Sequence, residues 1–173
     1  SGAGYPGVSS LDILGNIVPY IGGEEEKIEQ EARLLLGSMC DGRRVEADLS
    51  ASVQANRVPV LDGHTVCLSL GFDQPPSVER AIEVLSDFRG PEVVRTLPSA
   101  PERPIIVRSE PDRPQPRRDR DAAGGMAICV GRVRPCPLLD LRLVSVSHNT
   151  LRGAASGSVL NAELLVATGY VER

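Results

Sequence analysis

The sequence predicts an α+β fold in two layers, with helices on one face of a largely antiparallel, mixed sheet. Three observations lead to this fold class: stretches with helical periodicity, stretches with the alternation of strands, and the order and lengths of both along the chain. With 173 residues, of which 41% are apolar, the chain is long enough to bury one sizeable core. We therefore expect residues 1–173 to form a single domain.

The first predicted helix covers residues 23–37, in "GGEEEKIEQEARLLLG". Ile28, Ala32 and Leu35 recur on one helical face. Acidic residues fill the first turn, where the helix dipole favours negative charge, and Gly37 stands where a helix should end.

The stretch "HTVCLSLGF" alternates apolar and polar residues and predicts a strand that begins at His64. Asp62-Gly63 just before it is a dipeptide typical of two-residue hairpins, because both turn positions need positive φ. The sequence therefore predicts a partner strand over about residues 51–61. Pro59 inside that partner indicates an edge strand or a bulge.

A second helix is predicted in "PSVERAIEVLSDFRG", with Ser77 as its N-cap and Gly90 as its stop. The stretches "MAICVGRV" and "LLDLRLVSVSH" predict two more strands, joined across "RPCP". A closing helix is predicted in "SGSVLNAELLVATG", over about residues 157–168.

Residues 101–125 are rich in Pro, Arg and Asp and are predicted to form a long ordered loop. The first 21 of them hold six Arg against five Asp or Glu, a net charge of +1. We therefore expect these arginines to be paired within the chain rather than presented to phosphates. Long loops in compact domains tend to be functional or to reach a neighbouring subunit.

The composition disfavours several function classes. A formal net charge of −4 and 3% aromatic residues give no indication of nucleic acid or a membrane surface as partner. Cys40, Cys67, Cys129 and Cys136 form no Cys-x-x-Cys pair and no zinc-ligand spacing, so we expect no metal and reduced thiols in a cytoplasmic protein. No apolar run reaches membrane-spanning length, and the first 20 residues lack the pattern of a signal peptide.

The predicted hairpin suggests a candidate anion site. If Leu61 pairs with His64 and Arg57 with Leu68, then Arg57 and His64 share the apolar face of the sheet. Their rows would lie roughly 13 Å apart, a gap that a long Arg side chain and a small bound anion could close. The alternative is structural: a histidine at a strand end and an arginine whose head extends into water.

Two further stretches carry candidate binding residues. Glu24 and Lys27 lie one turn apart at the start of the first helix, where free N–H groups could help to grip a zwitterion or a phosphate. The helix dipole alone also explains acids at this position. The small-residue turn in "SHNTLRGAASGSVLNAELL" is similar to a phosphate loop but lacks the G-x-G-x-x-G spacing of nucleotide folds.

Five stretches, in order, resemble signatures of the aspartate-semialdehyde dehydrogenase family, in its archaeal and fungal branch: "SGAGYPGV", "PYIGGEEEKIE", "NRVPVLDGHT", "RPQPRRDRDAAGGM" and "SHNTLRGAASGSVLNAELL". The resemblance covers nearly the whole chain but only the second half of such an enzyme. It implies the catalytic and dimerisation domain, with a fold similar to the C-terminal domain of glyceraldehyde-3-phosphate dehydrogenase. The family's N-terminal Rossmann domain would then precede Ser1, and the terminal segment 157–173 would pack on it.

The resemblance also implies an activity and roles for particular residues. The family interconverts aspartyl 4-phosphate and aspartate 4-semialdehyde with NADP(H) and phosphate, through an acyl-enzyme on a cysteine. By motif, His64 corresponds to the general base and Arg57 to the clamp on the substrate α-carboxylate. Glu24 corresponds to the residue that meets the substrate amine and Lys27 to one that meets the phosphate. Asn149 falls where the family contacts the nicotinamide end of the cofactor.

The same resemblance implies a homodimer, with a tetramer as a further option for the full-length enzyme, in the biosynthesis of lysine, threonine, methionine and isoleucine. None of the four cysteines lies in the family's nucleophile motif, and the chain begins "SGAGYPG" without a Met. We therefore expect a fragment that is inactive alone. The alternative is a stand-alone dimeric binding module of the same fold without catalysis, and the Arg-rich loop leaves nucleic-acid binding as a third hypothesis.

Overall fold

The structure is a computed structural model that describes residues 13–171 of the chain. The motif "SGAGYPGV" lies outside the described residues. The chain divides into two compact units, the first ending at Pro59 and the second beginning at Val60. Within residues 13–171, no helix is both long and apolar enough to cross a bilayer.

The first unit contains one helix and a short hairpin. Helix α1 covers Glu24–Leu36 and confirms the first predicted helix. It ends before Gly37, where an added Cβ would collide with the backbone carbonyl of Val45. Strands β1 (Ser38–Cys40) and β2 (Arg43–Val45) follow and pair antiparallel.

The second unit is built on a four-stranded sheet in the order β3-β6-β5-β4. Its strands are β3 (His64–Leu70), β4 (Ile105–Arg108), β5 (Ile128–Pro135) and β6 (Leu141–Ser147). β6 pairs antiparallel with both β3 and β5, whereas β4 pairs parallel with β5. The sheet is therefore largely antiparallel but mixed, which confirms the predicted α+β class.

The helices of this unit are α2 (Val78–Asp87), α3 (Glu92–Arg95), α4 (Pro116–Asp119) and α5 (Ala155–Ala167). The Ser77 hydroxyl oxygen accepts from the Arg80 N–H at 3.1 Å, which confirms the predicted N-cap of α2. α2 packs on β4 and β5, α4 packs on β6, and α3 packs on α5. The closing helix is confirmed as α5, although none of its residues is buried.

The core of the second unit lies under the middle of the sheet. Val146 on β6 stands opposite Cys129 on β5, and both are fully buried, with 0% exposure. The Cys129 thiol donates to the backbone carbonyl of Asp119 at 3.5 Å. The loop around α4 therefore covers the Cys129 side of the sheet.

The predicted hairpin across Asp62-Gly63 is wrong. β3 pairs with β6, and residues 51–61 form no strand; instead Arg57 makes an isolated bridge with Val18. Pro59 has no N–H to donate to a ladder, which weakens this segment as a strand. The register argument that placed Arg57 and His64 on one buried face therefore fails, and His64 is exposed.

The loop over residues 101–125 is more structured than the sequence indicated. It contains β4 and α4, which were not predicted, and β4 supplies the only parallel pairing among the described strands. Gly131 on β5 lets this loop approach closely, since a Cβ there would lie 2.5 Å from the Arg113 carbonyl oxygen. The prediction of a loop over the whole of residues 101–125 is therefore wrong for Ile105–Arg108 and Pro116–Asp119.

Candidate functional site

In the first unit, side chains of α1 hold the extended segment that leads to Arg57. They are spaced one helical turn apart and so share one face of the helix. Glu25 Oε1 accepts a hydrogen bond from the Ala55 N–H at 2.8 Å, and Glu29 Oε1 accepts one from the Val53 N–H at 3.0 Å. Arg33 Nε donates to the Leu49 carbonyl at 3.2 Å. A segment without regular structure is thereby given a defined path.

The backbone of Arg57 is fixed at the end of this segment. Its N–H donates to the Val18 carbonyl at 2.9 Å, and its own carbonyl accepts from the Val18 N–H at 3.1 Å. The Arg57 side chain is half-buried. A guanidinium on such a fixed backbone suits bidentate recognition of a carboxylate, which depends on orientation.

Glu24 and Lys27 lie together on the first turn of α1. Lys27 Nζ is 4.0 Å from Glu24 Oε2, and the two side chains are 55% and 37% exposed, respectively. An exposed pair at this distance contributes little to stability, so both side chains can turn towards a ligand at small cost. The predicted proximity of Glu24 and Lys27 is present in the structure.

In the second unit, the sheet brings the segment of Asn149 beside the start of β3. His64 is the first residue of β3 and stands opposite Ser147 near the end of β6. Because β3 and β6 are antiparallel, the residue after the end of β6 lies beside the residue before β3. Asn149 Oδ1 accepts a hydrogen bond from the Gly63 N–H at 2.8 Å, which links Asn149 to the residue that precedes His64.

The Asp62-Gly63 turn is held from a second side by Arg120, which donates from Nη1 to the Asp62 carbonyl at 3.3 Å. Gly63 has a φ of 113°, which L side chains rarely adopt. A Cβ at this position would also touch Pro116 and Arg120 Cβ atoms, at 3.5 and 3.6 Å. The turn that precedes His64 is therefore constrained by the positive φ of Gly63 and by the close approach of Pro116 and Arg120.

His148, the second histidine, has a structural role. It is 6% exposed, and its Nδ1 accepts from the backbone N–H groups of Thr150 and Leu151, both at 3.3 Å. An Nδ1 that accepts leaves the ring proton on Nε2, which lies 3.6 Å from Asp121 Oδ1. His148 thus closes the turn that presents Asn149, whereas the exposed His64 can reach a ligand.

Asp119 organises the loop that supplies Arg120. Its side chain is 0% exposed and accepts from Arg108 Nε (2.8 Å), Arg113 Nε (2.7 Å) and the Gln115 N–H (2.6 Å). Burial raises the pKa of Asp119, but the bonds from Arg113 and Gln115 and the charge of Arg108 together hold this pKa below its usual value. The prediction of internally paired arginines in this loop is confirmed for Arg108 and Arg113.

No cysteine of the second unit lies beside His64. Cys67 is three residues further along β3 and projects from the opposite face. Cys129 is buried, and burial raises the pKa of its thiol. Cys136 follows Pro135, the last residue of β5, which stands opposite Leu141 on β6, and Leu141 stands opposite Leu70 on β3. Cys136 therefore lies at the far end of β3, roughly 20 Å from His64 by the rise of six strand residues.

Sequence reasoning missed Arg120, Asp119 and the bond between Gly63 and Asn149. The near balance of Arg with Asp and Glu in residues 101–121 indicated paired charges but could not identify the partners. Within residues 13–171, no group of three or more His, Cys, Asp or Glu side chains could hold a metal ion.

The mixed sheet and the helices packed on it define an α+β domain. A fixed turn presents the exposed His64 at one end of a strand. The family model described as "Semialdehyde dehydrogenase, dimerisation domain" matches residues 1–152. The chain belongs to this family.

Curated relatives carry the likeness across almost the whole chain. An aspartate-semialdehyde dehydrogenase of Archaeoglobus fulgidus is 50% identical over 96% of this chain, and one of Trichophyton rubrum is 52% identical over 99%. The chain spans about half the length of these relatives, 47% and 49% respectively, and aligns with their C-terminal half. The resemblance noted in the sequence is confirmed.

A solved structure shows the same fold. The crystal structure of aspartate-semialdehyde dehydrogenase with NADP from Candida albicans superposes with a TM-score of 0.88 at 45% identity. The match covers 96% of this chain and 48% of the Candida chain.

Proposed function

We propose that this chain is the catalytic and dimerisation half of a cytoplasmic, NADP-dependent aspartate-semialdehyde dehydrogenase. The observation that carries the proposal is the identity of about half of all residues with enzymes of that name over 96% and 99% of the chain. Each of the five candidate residues lies in a stretch that resembles a family signature. The reaction would interconvert aspartate 4-semialdehyde and aspartyl 4-phosphate.

In the oxidising direction, a cysteine thiolate adds to the aldehyde carbonyl of the substrate. The resulting oxyanion takes up a proton from water to give a hemithioacetal. NADP⁺, when bound, supplies the hydride acceptor. His64 takes the hydroxyl proton as the thioester forms, and phosphate then displaces the sulfur to release aspartyl 4-phosphate. A neutral imidazole suits this step because one of its ring nitrogens is a proton acceptor. The exposure of His64 on a fixed turn supports the role.

Three residues of the first unit would bind the substrate. Arg57 would hold the α-carboxylate in one orientation through paired N–H donors. Glu24 would accept from the substrate ammonium, and Lys27 would bind the phosphate with help from the free N–H groups at the start of α1. The weak Glu24–Lys27 pair, at 4.0 Å, supports these roles because it is easily exchanged for ligand contacts.

Asn149 would contact the nicotinamide end of NADP. Its amide oxygen is engaged by the Gly63 N–H, and its Nδ2 group makes no hydrogen bond to another described residue. Two N–H donors are then available for a carbonyl acceptor such as a carboxamide. Asn149 would thus join the cofactor contact to the turn that carries His64.

The thiolate would come from outside residues 1–173. The positions of Cys67, Cys129 and Cys136 relative to His64 support this, because none of these thiols lies beside the proposed base. Cys40 lies outside all five stretches that resemble the family. Two copies would associate through this domain as a homodimer, in line with the description of its family.

The test is the activity of the longer polypeptide that contains this chain. NADPH formation should require aspartate semialdehyde and phosphate together, and should stop when either is omitted. Turnover without phosphate would contradict the acyl-enzyme route. A stable dimer that binds substrate but gives no NADPH would favour the alternative, a binding module of this fold without catalysis.

A further inference from the structure

A cleft in the second unit carries three arginines that the proposed reaction does not use. It lies between the end of α2, the short helix α3 and the side of α5, and it has a volume of about 160 Å³. Its walls include Arg89, Arg95 and Arg152 together with Val94, Pro101 and Leu160. This volume is close to that of a cavity of about 150 Å³ that can hold a benzene-sized group. The mixture of apolar walls and a few polar groups is typical of small-molecule sites.

Within the part of the chain that the structure describes, the three arginines of the cleft have no acidic partner. No acidic side chain lines it, and within residues 13–171 no carboxylate lies within ion-pair distance of the three guanidiniums. Arg108 and Arg113 of the same unit differ, because both pair with buried Asp119. Like charges that converge without a counter-charge repel each other and attract an anion.

Two of the guanidiniums are held in place by backbone carbonyls. Arg89 donates from Nη1 to the Ser86 carbonyl at 2.6 Å, and Arg152 donates from Nη1 to the Met126 carbonyl at 3.3 Å. A guanidinium has five N–H donors, so each of the two keeps donors for a ligand. The Arg95 side chain is exposed and makes no hydrogen bond to the described part of the chain. Less side-chain freedom is then lost when an anion binds, because two of the three arginines are already ordered.

We propose that this cleft binds a small organic anion, a carboxylate or phosphate that carries an apolar group and no cationic group. The arginines would bind the anionic head through paired N–H donors, and Val94, Pro101 and Leu160 would contact the apolar body. A zwitterion is disfavoured because no carboxylate in the cleft could receive its ammonium. The proposal stands apart from the proposed reaction, since it involves none of the residues assigned to substrate or NADP.

Three probes with the same phenyl ring and three-carbon chain test this chemistry: 3-phenylpropionate, phenylalanine and 3-phenylpropanol. Each is titrated into the purified protein while the backbone amide signals are followed by NMR. We expect saturable shifts with 3-phenylpropionate, concentrated at Gly90, Ala100 and Leu160. Phenylalanine, which adds an ammonium, and the uncharged alcohol should each bind at least about fivefold more weakly.

Arg95→Gln is the test variant and Arg117→Gln its matched control. Both arginines are exposed and form no ion pair with a described residue, but only Arg95 lines the cleft. Loss of one charge-assisted contact should weaken 3-phenylpropionate binding about five- to tenfold in Arg95→Gln, and less than about twofold in Arg117→Gln.

Four results would overturn the proposal. They are equal affinity for the alcohol and the carboxylate, equal affinity for phenylalanine and 3-phenylpropionate, equal losses in the two variants, and no saturable shift up to the solubility limit. The amide spectra of the free variants report whether each keeps the fold, so a loss of binding is attributed to the removed charge only when the spectrum is retained.

Discussion

Replacing Asp119 with Asn should destabilise the second unit strongly. The buried carboxylate accepts from Arg108, Arg113 and the Gln115 N–H. An Asn side chain offers one oxygen where Asp offers two, so its NH₂ group would face an N–H donor, and both guanidiniums would lose their counter-charge. Removing one partner of a buried ion pair costs about 3–5 kcal/mol. Arg108 is 28% exposed and Arg113 15%, so water can rehydrate them in part. We therefore expect a loss of about 3 kcal/mol.

The assay is urea unfolding at neutral pH, with the midpoint and the slope measured for each variant. Asp112→Asn is the matched control, because Asp112 also faces an arginine but lies 4.0 Å from it with 63% of its side chain exposed. We expect about 0.5 kcal/mol or less for this exposed pair. A loss in Asp119→Asn no larger than that in Asp112→Asn would refute the reasoning.

Acid should remove the contribution of Asp119. Burial raises the pKa of this carboxyl, but the hydrogen bonds from Arg113 and Gln115 and the charge of Arg108 together lower it by a larger amount. The pKa in the folded state therefore lies below the pKa in the unfolded state. The stability that a lowered pKa contributes is fully present at a pH above the pKa of the unfolded state, which is about 4. It is lost as the pH falls through the pKa of the folded state. The difference between wild type and Asp119→Asn should thus be constant from pH 7 to about 5 and shrink below about pH 4.

Three further outcomes are expected. Asn149→Ala removes the acceptor of the Gly63 N–H and should cost about 1–2 kcal/mol of stability. Asn149→Asp keeps an acceptor, so it should restore stability but not NADP affinity. Equal NADP affinity in both variants and in wild type would contradict the cofactor role. Arg57→Leu should raise the KM for aspartate semialdehyde strongly, because a carboxylate clamp acts in ground and transition states alike, and an unchanged KM would remove Arg57 from the site. Light scattering should report about twice the 18.5 kDa of one chain, and a mass of 18.5 kDa at high concentration would count against the dimer.

Elements with strong local signals were predictable. Periodicity located α1, α2 and α5, and alternation located β3, β5 and β6, because these patterns follow from which face of an element is buried. Ser77 was recognised as a cap because the first turn of a helix has free N–H groups that only a few side chains can satisfy.

Pairing between distant segments was not predictable from these patterns. Asp62-Gly63 fits a hairpin, yet β3 pairs with β6, which follows it by about 70 residues. Alternation shows that a strand has two unlike faces but does not identify the neighbour. β4 was missed because "PIIVR" is short and lies among prolines, and its parallel pairing with β5 needs a long connection that leaves no local signal.

The candidate site divides in the same way. Motifs supplied His64, Arg57, Glu24, Lys27 and Asn149. The hydrogen bonds that position these residues could be found only in the structure. Asn149 and Gly63 are 86 positions apart in the sequence, and Arg120 and Asp62 are 58 positions apart. Such bonds depend on the antiparallel return of β6 and on the loop around α4, which composition does not encode.

The most direct measurement of the central claim is the steady-state kinetics of His64→Asn in the polypeptide that contains this chain. Asn keeps a polar side chain of similar reach, so the fold and substrate binding should survive, but the hydroxyl proton loses its acceptor. We expect turnover in semialdehyde oxidation to fall about 10²–10⁴-fold with a nearly unchanged KM. Turnover within a few-fold of wild type would contradict the account and make His64 a structural residue at a strand end.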